Sequence, residues 1–317
     1  MDTKKPIKII FDTDIGGDCD DAGALCLLHR LCDKGEAELL AVTHCFDSPY
    51  LAGCIDSINT YFNRKVPIGI NHGSFWYGEG VYAKQLCENF PNDYPAADYS
   101  KVPDTLTVLR RALANEADGS VTLVVTGALT SMEKLYNSPA DDICALSGKE
   151  LIKKKISRTV IMGGRFFESW PMPIFMGATS FDKPMVAEGN IEVSGRTACD
   201  TICQKWPVEI VYASYEIGSY IFTMVDYPTR AEKNDPVAAA YYIHNKGKGR
   251  YSWDLAAVLD AVRPDTYWNY HEFGQVVIDE NFVTRFKQND KYRHTYLLPK
   301  IDYEEIRQIM DDIIDKK

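Results

Sequence analysis

An apolar run, Ile7-Lys8-Ile9-Ile10-Phe11, gives way at once to Asp12-Thr13-Asp14-Ile15-Gly16-Gly17-Asp18-Cys19-Asp20-Asp21-Ala22. The first stretch is short, β-branched and apolar, and reads as a buried strand. The second puts five carboxylates within ten residues. Like charges at that density repel one another unless a cation neutralises them. The donors are all hard oxygens and no histidine lies among them, which points to Ca²⁺ or Mg²⁺ rather than zinc. Gly16 and Gly17 allow the tight turn that aims several side chains at one point.

Three other readings of this segment are weaker. An EF-hand loop needs a different acidic spacing and a helix before it, not a strand. Helix capping suits Asp20 and Asp21 at the start of a helix over 22–34, but leaves Asp12, Asp14 and Asp18 without a purpose. A phosphatase of the haloacid dehalogenase type also opens with a strand and Asp-x-Asp. It would carry Thr or Val two residues after the second Asp, where Gly16 stands.

Further short β-branched runs follow at Leu39–Thr43, Val121–Val125, Thr159–Met162 and Val208–Tyr212. Val121–Val125 is apolar enough to be covered on both faces, as parallel strands are. Helical stretches lie between them. Asp104 is placed to cap one that carries Leu106, Leu109 and Leu113, and Asp302 another with Ile306, Ile309, Met310, Ile313 and Ile314 on one face. This alternation predicts an α/β protein with a mostly parallel sheet flanked by helices. No repeat or linker divides it, so residues 1–317 read as a single large domain. The segment 166–183 is aromatic and aperiodic and follows a predicted strand, where such folds place active-site loops.

Composition narrows the partners. With Lys+Arg 35 against Asp+Glu 45, the formal charge is −10. Lys153-Lys154-Lys155 is the one basic cluster, so no nucleic acid partner is expected. No run of 18 apolar residues occurs, which argues against a membrane span, and Ile7–Phe11 is too short for the hydrophobic region of a signal peptide. The nine cysteines have no CxxC spacing, and free thiols in the cytoplasm are expected; an exported protein with its leader trimmed is the alternative.

The acidic segment resembles the N-terminal signature of the inosine-uridine-preferring nucleoside hydrolases, DTDPGxDDAxAL. Asp12-Thr13-Asp14, Gly16 and Asp20-Asp21-Ala22-Gly23-Ala24-Leu25 match it, with Ile15 in place of Pro and two extra residues before Asp-Asp-Ala. The longer loop is a feature of a divergent branch of that family. Four more elements follow in the family's order. Thr126-Gly127-Ala128-Leu129-Thr130 is similar to its T-G-P-L-T-N turn, and Ile161-Met162-Gly163-Gly164 to its M-G-G. Ala187-Glu188-Gly189-Asn190 is similar to A-E-F-N, and Trp253-Asp254-Leu255-Ala256-Ala257-Val258 to H-D-x-x-A-V. The resemblance spans roughly residues 7 to 270.

The resemblance implies Ca²⁺-dependent hydrolysis of the N-glycosidic bond of ribonucleosides, through an oxocarbenium-like ribosyl cation. Asp14 then matches a metal ligand and the general base, Asp21 and Asp254 two further ligands, and Thr126 a carbonyl ligand. Asp20 matches the carboxylate that binds a ribose hydroxyl. The longer loop leaves the division of roles among Asp18, Asp20 and Asp21 open. Glu188 and Asn190 match hydroxyl-binding residues, and Asp47 is a possible stand-in for the family's asparagine after the second strand. Trp253 replaces a histidine linked to leaving-group protonation; it either stacks on a nucleobase or packs in the core. With no phosphate loop and so many carboxylates, uncharged nucleosides fit better than nucleotides. The family's habit predicts a homodimer or homotetramer. The alternative is a catalytically silent nucleoside or ribose binder that retains the metal site.

Overall fold

The computed structural model describes residues 5–166, 185–186, 192–193, 195–279 and 283–315. Five strands come first: β1 (Ile7–Thr13), β2 (Ala37–His44), β3 (Ile68–Ile70), β4 (Val121–Val125) and β5 (Ile156–Met162). After the short pair β6 (Met185–Val186) and β7 (Glu192–Val193) come β8 (Glu209–Ala213), β9 (Phe222–Thr223) and β10 (Arg250–Tyr251). Last are β11 (Trp268–Tyr270), β12 (Gly274–Ile278), β13 (Thr284–Gln288) and β14 (His294–Pro299). The main sheet runs β13-β12-β14-β8-β5-β4-β1-β2-β3, with β11 also paired to β14. From β14 to β3 every neighbouring pair is parallel. β11, β12 and β13 form an antiparallel border. The mostly parallel sheet is as predicted; the border is an addition to it.

The central strands are buried along almost their whole length, and alternate residues enter two separate cores. Phe11, Val124, Val160 and Val211 face the core shared with helices Asp20–Asp33 and Trp253–Val262. Ile10, Leu123, Ile161 and Ile210 face the core on the other side, with Leu109, Leu113, Leu151 and Ile152 from helices. That period of two explains why these strands read as unbroken apolar runs. The predicted caps are formed: Asp104 accepts from the Leu106 amide and Asp302 from the Glu304 amide.

Strand order sets the position of the site. β1 lies between β2 and β4, so the chain leaving β1 emerges where crossovers run to opposite sides. Open α/β sheets form their crevice at such a point, beyond the carboxyl ends of the strands. Among the described residues no helix is long and apolar enough to cross a membrane, and all nine cysteines are free.

Candidate active site

The loop from Asp14 to Cys19 leaves β1 and enters helix Asp20–Asp33. Its turn depends on glycine. Gly16 has φ +125°, and a Cβ there would lie 2.9 Å from that of Ala83. The Gly16 carbonyl accepts from the Val81 and Tyr82 amides at 2.7 and 3.1 Å, tying the loop to the segment that follows β3. At Gly17 a side chain would collide with the Tyr77 hydroxyl.

Four aspartates converge here. Carboxylate oxygens of Asp20, Asp21 and Asp254 all lie within 4.8 Å of one another. Asp14 and Asp254 both come within hydrogen-bonding reach of Asp21. The Asp254 amide donates to Asp20 at 3.3 Å. Thr13 donates to Asp21, and the Thr126 hydroxyl lies 3.4 Å from the same oxygen. The Thr126 amide donates to the Asp12 carbonyl at 2.8 Å, which anchors the end of β4 against β1. Asp20, Asp21 and Asp254 occupy the first turns of their helices, where the exposed amides and the helix dipole favour negative charge. These three are buried, whereas Asp14 keeps part of its surface open.

Two partial helix charges do not balance four carboxylates. Loss of hydration, and then the neighbouring aspartates, push Asp14 and Asp254 well above the usual carboxylate range. Asp20 rises in the same way, through burial and then Asp18 and Asp21. Asp21 is pushed up to about 6 by burial, against the Thr13 and Asp254 hydrogen bonds that lower it. Behind them Asp12 is raised to about 7 by burial, opposed by the Thr43 hydroxyl. A cation removes this repulsion, and an all-oxygen, flexible, high-charge donor set suits a hard divalent ion. The residues therefore fit such a metal.

Asp18 stands apart from the four. Both its oxygens pair with the Arg250 guanidinium, through Nε at 2.7 Å and through Nη2. His244 Nε2 lies 3.5 Å from the same carboxylate, and its Nδ1 is 3.4 Å from the Cys19 sulfur. Asp18, Cys19 and His244 thus form a second compact group. Among the described residues, the ion pairs of the Asp14–Asp21 segment all belong to Asp18.

Trp253 is 8% exposed. Its ring stacks on Tyr215 at 5.4 Å, the Arg250 guanidinium carbon lies 4.8 Å from its centroid, and its N–H donates to the Tyr215 carbonyl and the Ser219 hydroxyl. The ring is therefore packed between Tyr215 and Arg250. Asp47 is occupied elsewhere, accepting from the Gly73 amide and the Tyr99 hydroxyl. Tyr82 is fully buried and donates to the Asp18 carbonyl; Tyr77 stacks on Phe46, and Phe166 packs against Tyr296. Glu188 and Asn190 lie outside the described residues, as do residues 167–183 of the aromatic segment. Sequence reasoning did not single out His244 or Arg250, since nothing in their spacing marks residues that meet Asp18 only through the fold.

The family described as inosine-uridine preferring nucleoside hydrolase matches residues 9–307. A solved plant nucleoside hydrolase is similar, with a TM-score of 0.65 at 16% identity over 98% of this chain and 100% of that one. The inosine-uridine preferring nucleoside hydrolase from Bacillus anthracis aligns with a TM-score of 0.64 at 19% identity, over 98% and 99%. At these identities the structures speak for the fold alone. Among curated proteins, the replicase large subunit of Sunn-hemp mosaic virus is 22% identical over 193 residues, which is 52% of this chain and 12% of that protein.

Proposed function

Because the chain belongs to the inosine-uridine preferring nucleoside hydrolase family, we propose that it hydrolyses ribonucleosides to free base and ribose with the help of Ca²⁺. The observation that carries this reading is the meeting of Asp14, Asp20 and Asp21, beyond the carboxyl end of β1, with Asp254 from more than 200 residues along the chain.

In this reading Asp14, Asp21, Asp254 and the Thr126 carbonyl hold the metal. When bound, Ca²⁺ neutralises the carboxylates, orients the ribose hydroxyls and acidifies a water. Asp14 is the general base: it takes the proton of the water whose oxygen bonds to C1′ as the glycosidic bond breaks. Its partly open surface supports that choice over the three buried aspartates. Asp20 binds a ribose hydroxyl. The Arg250 pair supports giving that role to Asp20 rather than Asp18, because it already satisfies both Asp18 oxygens. Glu188 and Asn190 complete the sugar contacts. Trp253, next to Asp254 in the chain and packed on Tyr215, borders the sugar site.

We also propose a homodimer or homotetramer and a cytoplasmic setting, the latter supported by nine free thiols. Incubation with inosine, adenosine, uridine and cytidine, followed by assay of free ribose, tests the activity. Ribose from at least one supports hydrolysis. Calcium and nucleoside binding without ribose release identifies the silent binder instead.

A further inference from the structure

The metal aspartates come from two places in the fold. Asp14, Asp20 and Asp21 belong to the loop after β1 and the helix it enters, whereas Asp254 opens helix Trp253–Val262. Asp18 lies on that loop, between Asp14 and Asp20. We propose that Arg250 is a positioning residue that joins the two places: by gripping Asp18 it fixes the separation of the acidic loop from Asp254, and so sets the affinity for the cation. This rests on the metal site of the reading above.

The grip has two points. Arg250 donates from Nε at 2.7 Å to one Asp18 oxygen and from Nη2 to the other. A charge-assisted pair of this geometry fixes orientation as well as distance, which the single point charge of a lysine does not. The two side chains are 29% and 32% exposed, so water screens the pair only in part. Asp18 is held from its own side too. Its Oδ1 accepts from the Cys19 amide and its carbonyl from the Tyr82 hydroxyl, both at 2.7 Å.

Arg250 is tied to Asp254 through a short segment with little freedom. It belongs to β10, which pairs with β9. Two residues on, the Ser252 amide donates to the Ile221 carbonyl at 2.9 Å, and the Ser252 hydroxyl meets that of Thr223 at 2.8 Å. Trp253 approaches Gly218 so closely that a Cβ on the glycine would lie 2.4 Å from the Trp253 Cα. The Arg250 guanidinium sits over the Trp253 ring, an attractive arrangement for a cation. The Asp254 amide then closes the circuit on Asp20.

Charge alone and positioning predict different signs. On charge alone, loss of Arg250 leaves Asp18 uncompensated and tightens the hold on a cation, while loss of Asp18 loosens it. Positioning predicts that both losses loosen it, because either one frees the loop from the segment that carries Asp254.

Calorimetric titration with calcium of the full chain, as parent, Arg250→Met, Asp18→Ala and the double variant, tests this. Each single variant should bind calcium about 10–100-fold more weakly, the usual cost of losing an outer partner of a metal site. The double variant should bind no more weakly than the weaker single one, since the two residues act as one unit. Arg250→Lys, which cannot grip both oxygens, replaces the methionine variant if that does not fold, with the same direction of change. Tighter or unchanged binding in the Arg250 variant overturns the proposal, as do losses that add in the double variant. A lower unfolding midpoint in chelator with calcium affinity unchanged also overturns it, by making the pair merely structural. Affinity is read without turnover, so a parent that binds calcium but releases no ribose overturns the hydrolase reading alone. A parent that binds no calcium overturns the metal site and this proposal with it.

Discussion

At the scale of single residues, the four converging aspartates differ in what surrounds them. Asp20, Asp21 and Asp254 are buried at helix starts, whereas Asp14 is only partly buried. Asp14→Asn keeps the shape and one oxygen ligand but cannot accept the water's proton. Steady-state ribose release should therefore fall by about 10²–10⁴-fold with calcium still bound. Turnover close to the parent's would transfer the base role to another carboxylate. His29 gives a separate test of burial. Its pKa is lowered to about 3 by burial and then by Arg64, so the folded protein refuses a proton that the unfolded chain accepts below about 6.5. Stability from this group is complete above that pH and is lost as pH falls through it. Urea unfolding of parent and His29→Gln should diverge, the parent losing on the order of 2 kcal/mol more between pH 7.5 and 4.5. Parallel loss in both proteins would remove His29 as the cause.

At the scale of elements, the turn after β1 is the most demanding piece. Gly16→Ala adds a Cβ 2.9 Å from Ala83 at φ +125°, a region that only glycine enters easily. The variant should lose about 1–3 kcal/mol in urea unfolding and bind calcium more weakly. Unchanged values in both would mean that the loop adapts without disturbing Asp14. The strands whose residues are apolar on both faces were legible from the chain, because burial on both sides leaves an unbroken apolar run. β3 is only Ile68–Ile70, too short for a period to appear. The border strand β13 reads Thr-Arg-Phe-Lys-Gln, and its polar face conceals it. The acidic loop was legible for a related reason: its carboxylates are neighbours in the chain. Asp254 came only through the resemblance. His244 and Arg250 reach Asp18 from more than 220 positions away, and a contact of that kind leaves no local trace.

Over the whole molecule, the site joins the first strand and loop to a helix near the C-terminal end, so metal binding and folding should be linked. A ligand that binds only the folded chain stabilises it by about 2.7 kcal/mol at a concentration one hundred times its Kd. Calcium should raise the thermal midpoint and a chelator should lower it. Asp254→Ala should blunt both shifts, because it removes the oxygen ligand proposed for helix Trp253–Val262. Identical midpoints with calcium and with chelator would separate the aspartate cluster from metal binding altogether. The central claim is that these aspartates, with a bound cation, cleave the bond between ribose and base. Its most direct test is ribose release from a ribonucleoside that the parent cleaves, inosine for instance, measured after chelation and again after calcium is restored. The account predicts that release stops with the chelator and returns with calcium in the parent, and does not return in Asp14→Asn. Equal release with and without the chelator would contradict it.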